Sequence, residues 1–459
     1  MKISKLFEPV DMTEGNPVKQ IVVFTIPMLL GNIAQQLYNT VDSIIVGKFV
    51  GDNALAAVGS AGPIFNLMLV LFIGISVGAT IMVSQYFGAR NREALSRSIG
   101  CCTTMTVIAS GIIMIVGSLL AHPLLKLLNT PESIIIWCRN YLIILSLGSV
   151  GCGLYNILSG VLRGLGDSVS ALIYLLVATL LNIVLDYCFV AYLGLGVAGV
   201  ALATIIAQMV SAVLCIRKLL HMTNLFDFKM EYLKPEREYA GSLIRLGLPS
   251  GVTQAIMSMS MIVVQSLTNS FGELFIASNV IVMRIDGFVM LPAFSFGTAM
   301  TTYAGQNIGA GKMDRVTKGA RQGTLVAMGI SAFLTLMILI FGRNIMGIFT
   351  DTGELIDLSY RMMRILAVGY ILMEVTQCLS GIMRGAGDTI TPMWISIVNS
   401  IAVRVPLAYL LVHLTKTPEL PQGDCGMMYV SLVLTWTIGA MLTLLFYRVG
   451  KWKTKAVGI

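Results

Sequence analysis

Twelve predominantly apolar stretches of about 20 residues or more follow one another along this chain, and no other feature limits its fold so tightly. They fall at about 18–46, 54–82, 98–121, 134–158, 169–192, 195–218, 244–269, 276–303, 322–346, 361–382, 391–413 and 427–448. Each is long enough for an α-helix, rising 1.5 Å per residue, to cross a hydrocarbon core of ~30 Å. Composition agrees: 12% of the 459 residues are charged and 56% are apolar, whereas a soluble protein carries roughly 25% charge. A soluble enzyme, a secreted scaffold and a disordered tail are excluded. The expectation is an all-α integral membrane protein of twelve transmembrane helices, with the lipid bilayer as its first partner.

The breaks between stretches are made by Gly, Pro, Asn and charge, as at Gly51-Asp52-Asn53, Asn129-Thr130-Pro131 and Gly309-Ala310-Gly311-Lys312. Gly194-Leu195-Gly196 is the weakest of them. The segment from Met1 to Gln20 is polar and has no short apolar core with a cleavage site, so no removable signal peptide is expected.

The net charge of +8 is a matter of topology, not of nucleic-acid binding. If both termini are cytoplasmic, 22 of the 31 Lys and Arg residues fall in inner segments, among them Lys2, Lys5 and Lys19. Seven fall at the outer side, and only Arg284 and Arg404 lie within spans. That asymmetry is the positive-inside pattern. It implies cytoplasmic termini, and the expected location is the plasma membrane, or the inner membrane of a Gram-negative cell. Eight cysteines form no C-x-x-C pair, and His122, His221 and His413 have no metal-ligand spacing. Neither an enzyme nor a bound cofactor is expected.

The chain is also written twice. Leu158-Ser-Gly-Val-Leu-Arg-Gly-Leu-Gly-Asp167 returns as Leu379-Ser-Gly-Ile-Met-Arg-Gly-Ala-Gly-Asp388, an offset of 221 residues. The same offset brings Gln85, Gly88 and Ala89 onto Gln306, Gly309 and Ala310, and Gly51 onto Gly272. Each half holds six spans, an even number, so both run the same way through the membrane. They are expected to form two six-helix lobes, 1–218 and 244–459, related by a pseudo-two-fold axis along the membrane normal. Residues 219–243 would be the cytoplasmic linker. Parallel repeats of this kind are typical of carriers that rock around a site between their halves. Two soluble motifs fail. Gly305-Gln-Asn-Ile-Gly-Ala-Gly311-Lys312 lacks the first Gly and the Ser/Thr of a phosphate loop, and Arg163-Gly-Leu-Gly-Asp167 lacks a preceding strand. The latter, being duplicated at a helix end, reads as a tight inner turn with an anchoring Arg.

The doubled L-S-G-x-x-R-G-x-G-D, the run from Tyr38 to Gly47, the Gly-x-Pro near Pro249 and the run from Gly305 to Gly311 together resemble the multidrug and toxic compound extrusion (MATE) family. The resemblance covers essentially the whole chain. It implies a twelve-helix, two-lobe antiporter that exports organic, often cationic compounds in exchange for Na+ or H+.

A charge in the bilayer core costs at least ~2.5–3.5 kcal/mol on insertion scales, which makes each intramembrane acid a functional candidate. The deep ones are Asp42, Asp186, Asp286 and Glu374. Gln35, Asn39 and Asp42 share one helix face, as do Asn182 with Asp186 and Thr204 with Gln208. Oxygens from three helices could cage a hard cation, or a desolvated Asp could hold and release a proton. The competing reading is that these groups only hydrogen-bond helices together. The repeat favours function, because Asp42 maps to Val263 and Asp186 to Leu407. An architectural carboxylate would be expected in both halves. The resemblance implies a cation site from an Asp of helix one, an Asn-x-x-x-Asp of helix five and a Thr of helix six. Asp42, Asn182, Asp186 and Thr204 match it, and would be the Na+ ligands if Na+ is the coupling ion. Some members place a Glu on helix seven, where this chain has Gln254 and no acid.

A substrate cavity would draw on Gln35, Asn39, Gln208, Gln254, Met257, Met261, Asp286 and Glu374, with core packing as the alternative for the methionines. Glu374 paired with an Arg is the bland reading of that acid, and Asp167 and Asp388 at helix ends read as structural. Pro27 removes a backbone hydrogen bond in span one and is the expected hinge, with Pro249 at nearly the equivalent place. The expected function is a monomeric, cation-coupled antiporter of small organic substrates, with no nucleic-acid partner. The alternative is a lipid-intermediate flippase of related two-lobe architecture, which would be expected to have further spans and a strongly cationic cavity.

Overall fold

The structure is a computed structural model that describes residues 9–128 and 130–456; Lys2, Lys5 and Asn129 lie outside the described residues. Among those residues there are helices and turns and no strand. In chain order the helices are α1 (Pro17–Phe49), α2 (Asp52–Gly88), α3 (Arg92–Leu127), α4 (Glu132–Leu147), α5 (Ser149–Gly164), α6 (Ser168–Asp186) and α7 (Gly196–Leu220). They are followed by α8 (Arg237–Asn269), α9 (Glu273–Val289), α10 (Leu291–Gly309), α11 (Met313–Met346), α12 (Gly353–Gly385), α13 (Ile390–Ile397), α14 (Val405–Leu414) and α15 (Gly426–Val449). Two π-helical stretches, Tyr187–Tyr192 after α6 and Val398–Arg404 between α13 and α14, continue their spans.

Eleven of these helical segments are long and apolar enough to cross a membrane, and the pair α4–α5 makes a twelfth. That pair is bent by 54°, where the sequence reads as one straight span. The bend falls at Gly148, where an added Cβ would lie 2.2 Å from Ile205 of α7. Outer faces are apolar, as on α3, where Ile112, Ile115 and Leu119 are all exposed.

The described residues divide into two compact units. The first contains the segment ending at Asp11 and Ile26–Gly251; the second contains Met12–Thr25 and the chain from Val252 onward. α1 therefore changes unit at Thr25/Ile26, beside Pro27, and α8 changes at Gly251/Val252, beside Pro249. In the first unit the start of α8 packs on α2. A Cβ on Gly74 would lie 2.8 Å from the Gly247 carbonyl, and one on Gly78 2.8 Å from the Leu243 carbonyl.

The duplicated motif builds the same turn in each unit. Gly166 and Gly387 have φ of 91° and 92°, left-handed conformations that favour glycine. The aspartates that follow cap the next helix: Asp167 Oδ1 accepts from Ser170 N (2.9 Å) and Asp388 Oδ1 from Thr391 N (3.2 Å). Each also meets a lysine, Lys218 at 3.4 Å and Lys455 at 3.0 Å. The anchoring arginines differ: Arg163 Nη2 donates to Ser76 Oγ (3.2 Å), while Arg384 makes no such bond.

The Gly305–Gly311 run also has a structural task, inside the second unit. Gln306 Oε1 accepts from Met12 N (2.9 Å) and Asn307 Nδ2 donates to Met12 O (3.1 Å). Arg315 donates to the carbonyls of Met12, Glu14 and Gly15. The motif holds the segment that leads into α1.

Candidate functional site

The first unit gathers the polar residues of three spans into one buried cluster. Asp186 is the last residue of α6, where the chain passes into the π-helical turn, and it is fully buried, as is Asn182 one turn earlier. With its amide oriented to satisfy both ends, Asn182 donates from Nδ2 to Asp186 Oδ2 (2.9 Å) and accepts at Oδ1 from Thr204 N of α7 (3.2 Å). Asp42 of α1 stands within side-chain hydrogen-bonding reach of Asp186. One oxygen of each carboxyl, Asp42 Oδ1 and Asp186 Oδ1, is buried without a hydrogen-bond partner, and so is Gln208 Oε1. Two carboxylates in contact in a low-dielectric site repel each other. A proton or a metal cation between them removes that repulsion, so the arrangement can hold either.

The sequence pattern does not single out two tyrosines that belong here. Tyr38 OH lies 3.3 Å from Thr204 Oγ1, and Tyr141 of α4 is buried within electrostatic range of both Asp42 and Asp186. The Tyr38-to-Gly47 motif contains the first, one turn before Asp42, and nothing in the sequence marks the second. The offset of 221 residues places Met259, Val263, Val403, Leu407 and Cys425 opposite Tyr38, Asp42, Asn182, Asp186 and Thr204. The cluster is thus confined to the first half.

The other candidates are divided between the two units. Gln35 donates to Asn39 (3.4 Å) along an exposed face of α1. Gln254 is exposed on α8, Met261 is 46% exposed, and Met257 lines a cavity in the second unit. Asp286 of α9 stands within side-chain hydrogen-bonding reach of Tyr370 of α12 and lies in electrostatic range of Arg404. Glu374, almost fully buried, keeps Oε2 without a partner. It is near Cys378, one turn further along α12, so the structure sets Arg404 beside Asp286 and not beside Glu374. Among the described residues seven methionines, including Met12, Met346, Met362 and Met363, are fully buried core.

Comparison with known proteins extends this picture. The family model MatE matches twice, over residues 27–188 and 249–410, once in each half. A "Probable multidrug resistance protein YoeA" of Bacillus subtilis is 32% identical over 405 residues, 87% of this chain and 88% of that protein. A "Probable multidrug resistance protein NorM" of Thermotoga maritima is 25% identical over 444 residues, 96% of this chain and 94% of its own. Among solved structures, a MATE protein in the straight conformation superposes with a TM-score of 0.87 at 26% identity, covering 96% of this chain and 98% of the other. One described as the outward-facing conformation of a multidrug resistance MATE family transporter of the MOP superfamily gives 0.89 at 26%, covering 96% and 97%.

Proposed function

The chain belongs to the MatE family of multi-pass membrane transporters, and we propose that it is a secondary active antiporter that exports small organic, cationic compounds in exchange for Na+ or H+. The observation that supports this reading is the buried pair Asp42–Asp186 with Asn182, Thr204 and Tyr38 around it. Two carboxyls, an amide and two hydroxyls offer oxygen donors that suit a hard monovalent cation, and the carboxyls alone suffice for a proton. The coupling ion enters from outside, neutralises the pair, and leaves into the cytoplasm. Each net charge moved inward is worth ~2.3 kcal/mol per 100 mV of membrane potential, a roughly 50-fold gradient. A one-for-one exchange with a monovalent cationic substrate moves no net charge and draws on the ion's concentration gradient alone. In this reading Pro27 is the hinge of α1, the lobes are 1–218 and 244–459 about the linker 219–243, and the working form is a monomer in the plasma membrane with both termini cytoplasmic.

The test is efflux from proteoliposomes with the Na+ and proton gradients imposed separately. Export should follow one gradient and not the other. Asp42→Asn should abolish it while the protein still inserts and folds; full coupled transport in that variant would overturn the reading.

A further inference from the structure

The second unit contains a cavity of about 100 Å³ between α8, α12, α15 and the span of α13 with its π-helical continuation. Its polar wall includes Gln377, Ser380 and Arg384 of α12, and Ser396, Asn399 and Arg404 of the broken span. Met257 and Trp436 form part of the apolar wall. Two of the polar groups have no protein partner: Arg384 Nε is buried without an acceptor, and Asn399 Oδ1 is buried without a donor. Among the described residues no carboxylate stands beside Arg384. A buried guanidinium without a counter-charge is costly, and natural structures keep few of them.

The repeat shows that this arrangement is particular to the second half. Arg163, the counterpart of Arg384, also keeps a buried Nε without an acceptor, but its Nη2 donates to Ser76, and the position matching Ser76 is Gly297. Asn399 and Arg404 replace Ala178 and Ile183. The backbone is adapted as well. Positions five apart point about 140° away from each other on an α-helix. The π-helical stretch Val398–Arg404 brings Asn399 and Arg404 back to one side, because its repeat is i to i+5. Both residues line the cavity in consequence.

We propose that this cavity binds a small organic carboxylate that also bears a hydrogen-bond donor. Its carboxylate lies between the guanidinium groups of Arg384 and Arg404, and its hydroxyl or amine donates to Asn399 Oδ1. Guanidinium groups suit a carboxylate because their N–H donors form a planar fork. An engineered cavity of ~150 Å³ holds a benzene ring, so this one suits a molecule of about three carbons. The inference is independent of ion coupling, and its test uses no gradient.

L-lactate, propionate and lactamide form the probe set, since they differ only in the groups the site is meant to read. Binding is measured by equilibrium dialysis and by Tm, on the full chain in nanodiscs of neutral phosphatidylcholine at constant ionic strength. Lactate should bind saturably, one per chain, and raise Tm; propionate should do so more weakly and lactamide not at all. Arg384→Met should weaken lactate at least about tenfold while leaving the ligand-free Tm unchanged or higher, because it removes an uncompensated charge. Arg163→Met, in the first unit, should leave lactate binding intact. Should Arg384→Met not fold, Arg404→Met must still weaken lactate, and Asn399→Ala must bring lactate down to the level of propionate. Absence of saturable lactate binding to the unmodified protein overturns the proposal. So does an equal response to lactamide, or undiminished binding in the arginine variants that fold.

Discussion

Tyr38 shows how a single hydroxyl can matter in the first-half cluster. It is within reach of Thr204 Oγ1, and Thr204 N in turn is accepted by the amide that binds Asp186. Removing the hydroxyl with Tyr38→Phe keeps the ring and deletes one link. A net hydrogen bond is worth ~0.5–1.5 kcal/mol. The concentration of coupling ion giving half-maximal transport should therefore rise roughly 2–12-fold, with folding retained. An unchanged ion dependence in proteoliposomes would remove Tyr38 from the site. The acids were legible from sequence because a charge inside an apolar run is costly and its absence from the duplicate half is visible. Tyr38 and Tyr141 were not, because a tyrosine in a span is unexceptional until helix rotation and packing show what its ring and hydroxyl face.

At the scale of the helix, the glycines of the duplicated motif let backbones touch. On α5, an added Cβ at Gly160 would lie 2.8 Å from the Ser76 carbonyl, and at Gly164 2.9 Å from that of Thr80. On α12, Gly381 and Gly385 stand against the carbonyls of Gly297 and Thr301 in the same way, each at 2.3 Å. Small residues are how membrane helices approach closely, since lipid supplies no hydrophobic drive. Gly385→Ala should then destabilise by ~1–3 kcal/mol, the usual cost of overpacking. Gly329→Ala on α11, where a Cβ meets nothing within 4 Å, should instead stabilise by ~0.5–1 kcal/mol through its lower chain entropy. Thermal unfolding in one detergent compares them, and shifts of the same sign would contradict the packing argument. The motif itself was plain in the sequence, as were the tight turn and the structural reading of Asp167 and Asp388. The 54° bend of α4–α5 was not, because it depends on Ile205 crowding Gly148 from another helix.

For the whole molecule, the count and order of spans could be read from hydropathy alone, since backbone in hydrocarbon has few alternatives to a helix. What hydropathy cannot show is which compact unit each part of a helix belongs to. α1 and α8 each divide next to a proline, Pro27 and Pro249. Proline removes one backbone hydrogen bond and loosens the helix at that point. The two parts of each helix are then free to follow different cooperative units in hydrogen exchange. The start of α1 touches α11, where Gly323 faces Ile21, and the start of α8 touches α2 at Gly74 and Gly78. A substitution that loosens the second unit, Gly385→Ala, should therefore speed exchange at residues 17–25 and leave 28–49 nearly unchanged. One that loosens the first, Gly160→Ala, should speed exchange at 237–251 and spare 252–269. Mass spectrometry of exchanged peptides in nanodiscs separates these segments. If each helix responded along its whole length to either substitution, the prolines would not be dividing points, and the hinge reading of Pro27 would lose its physical basis.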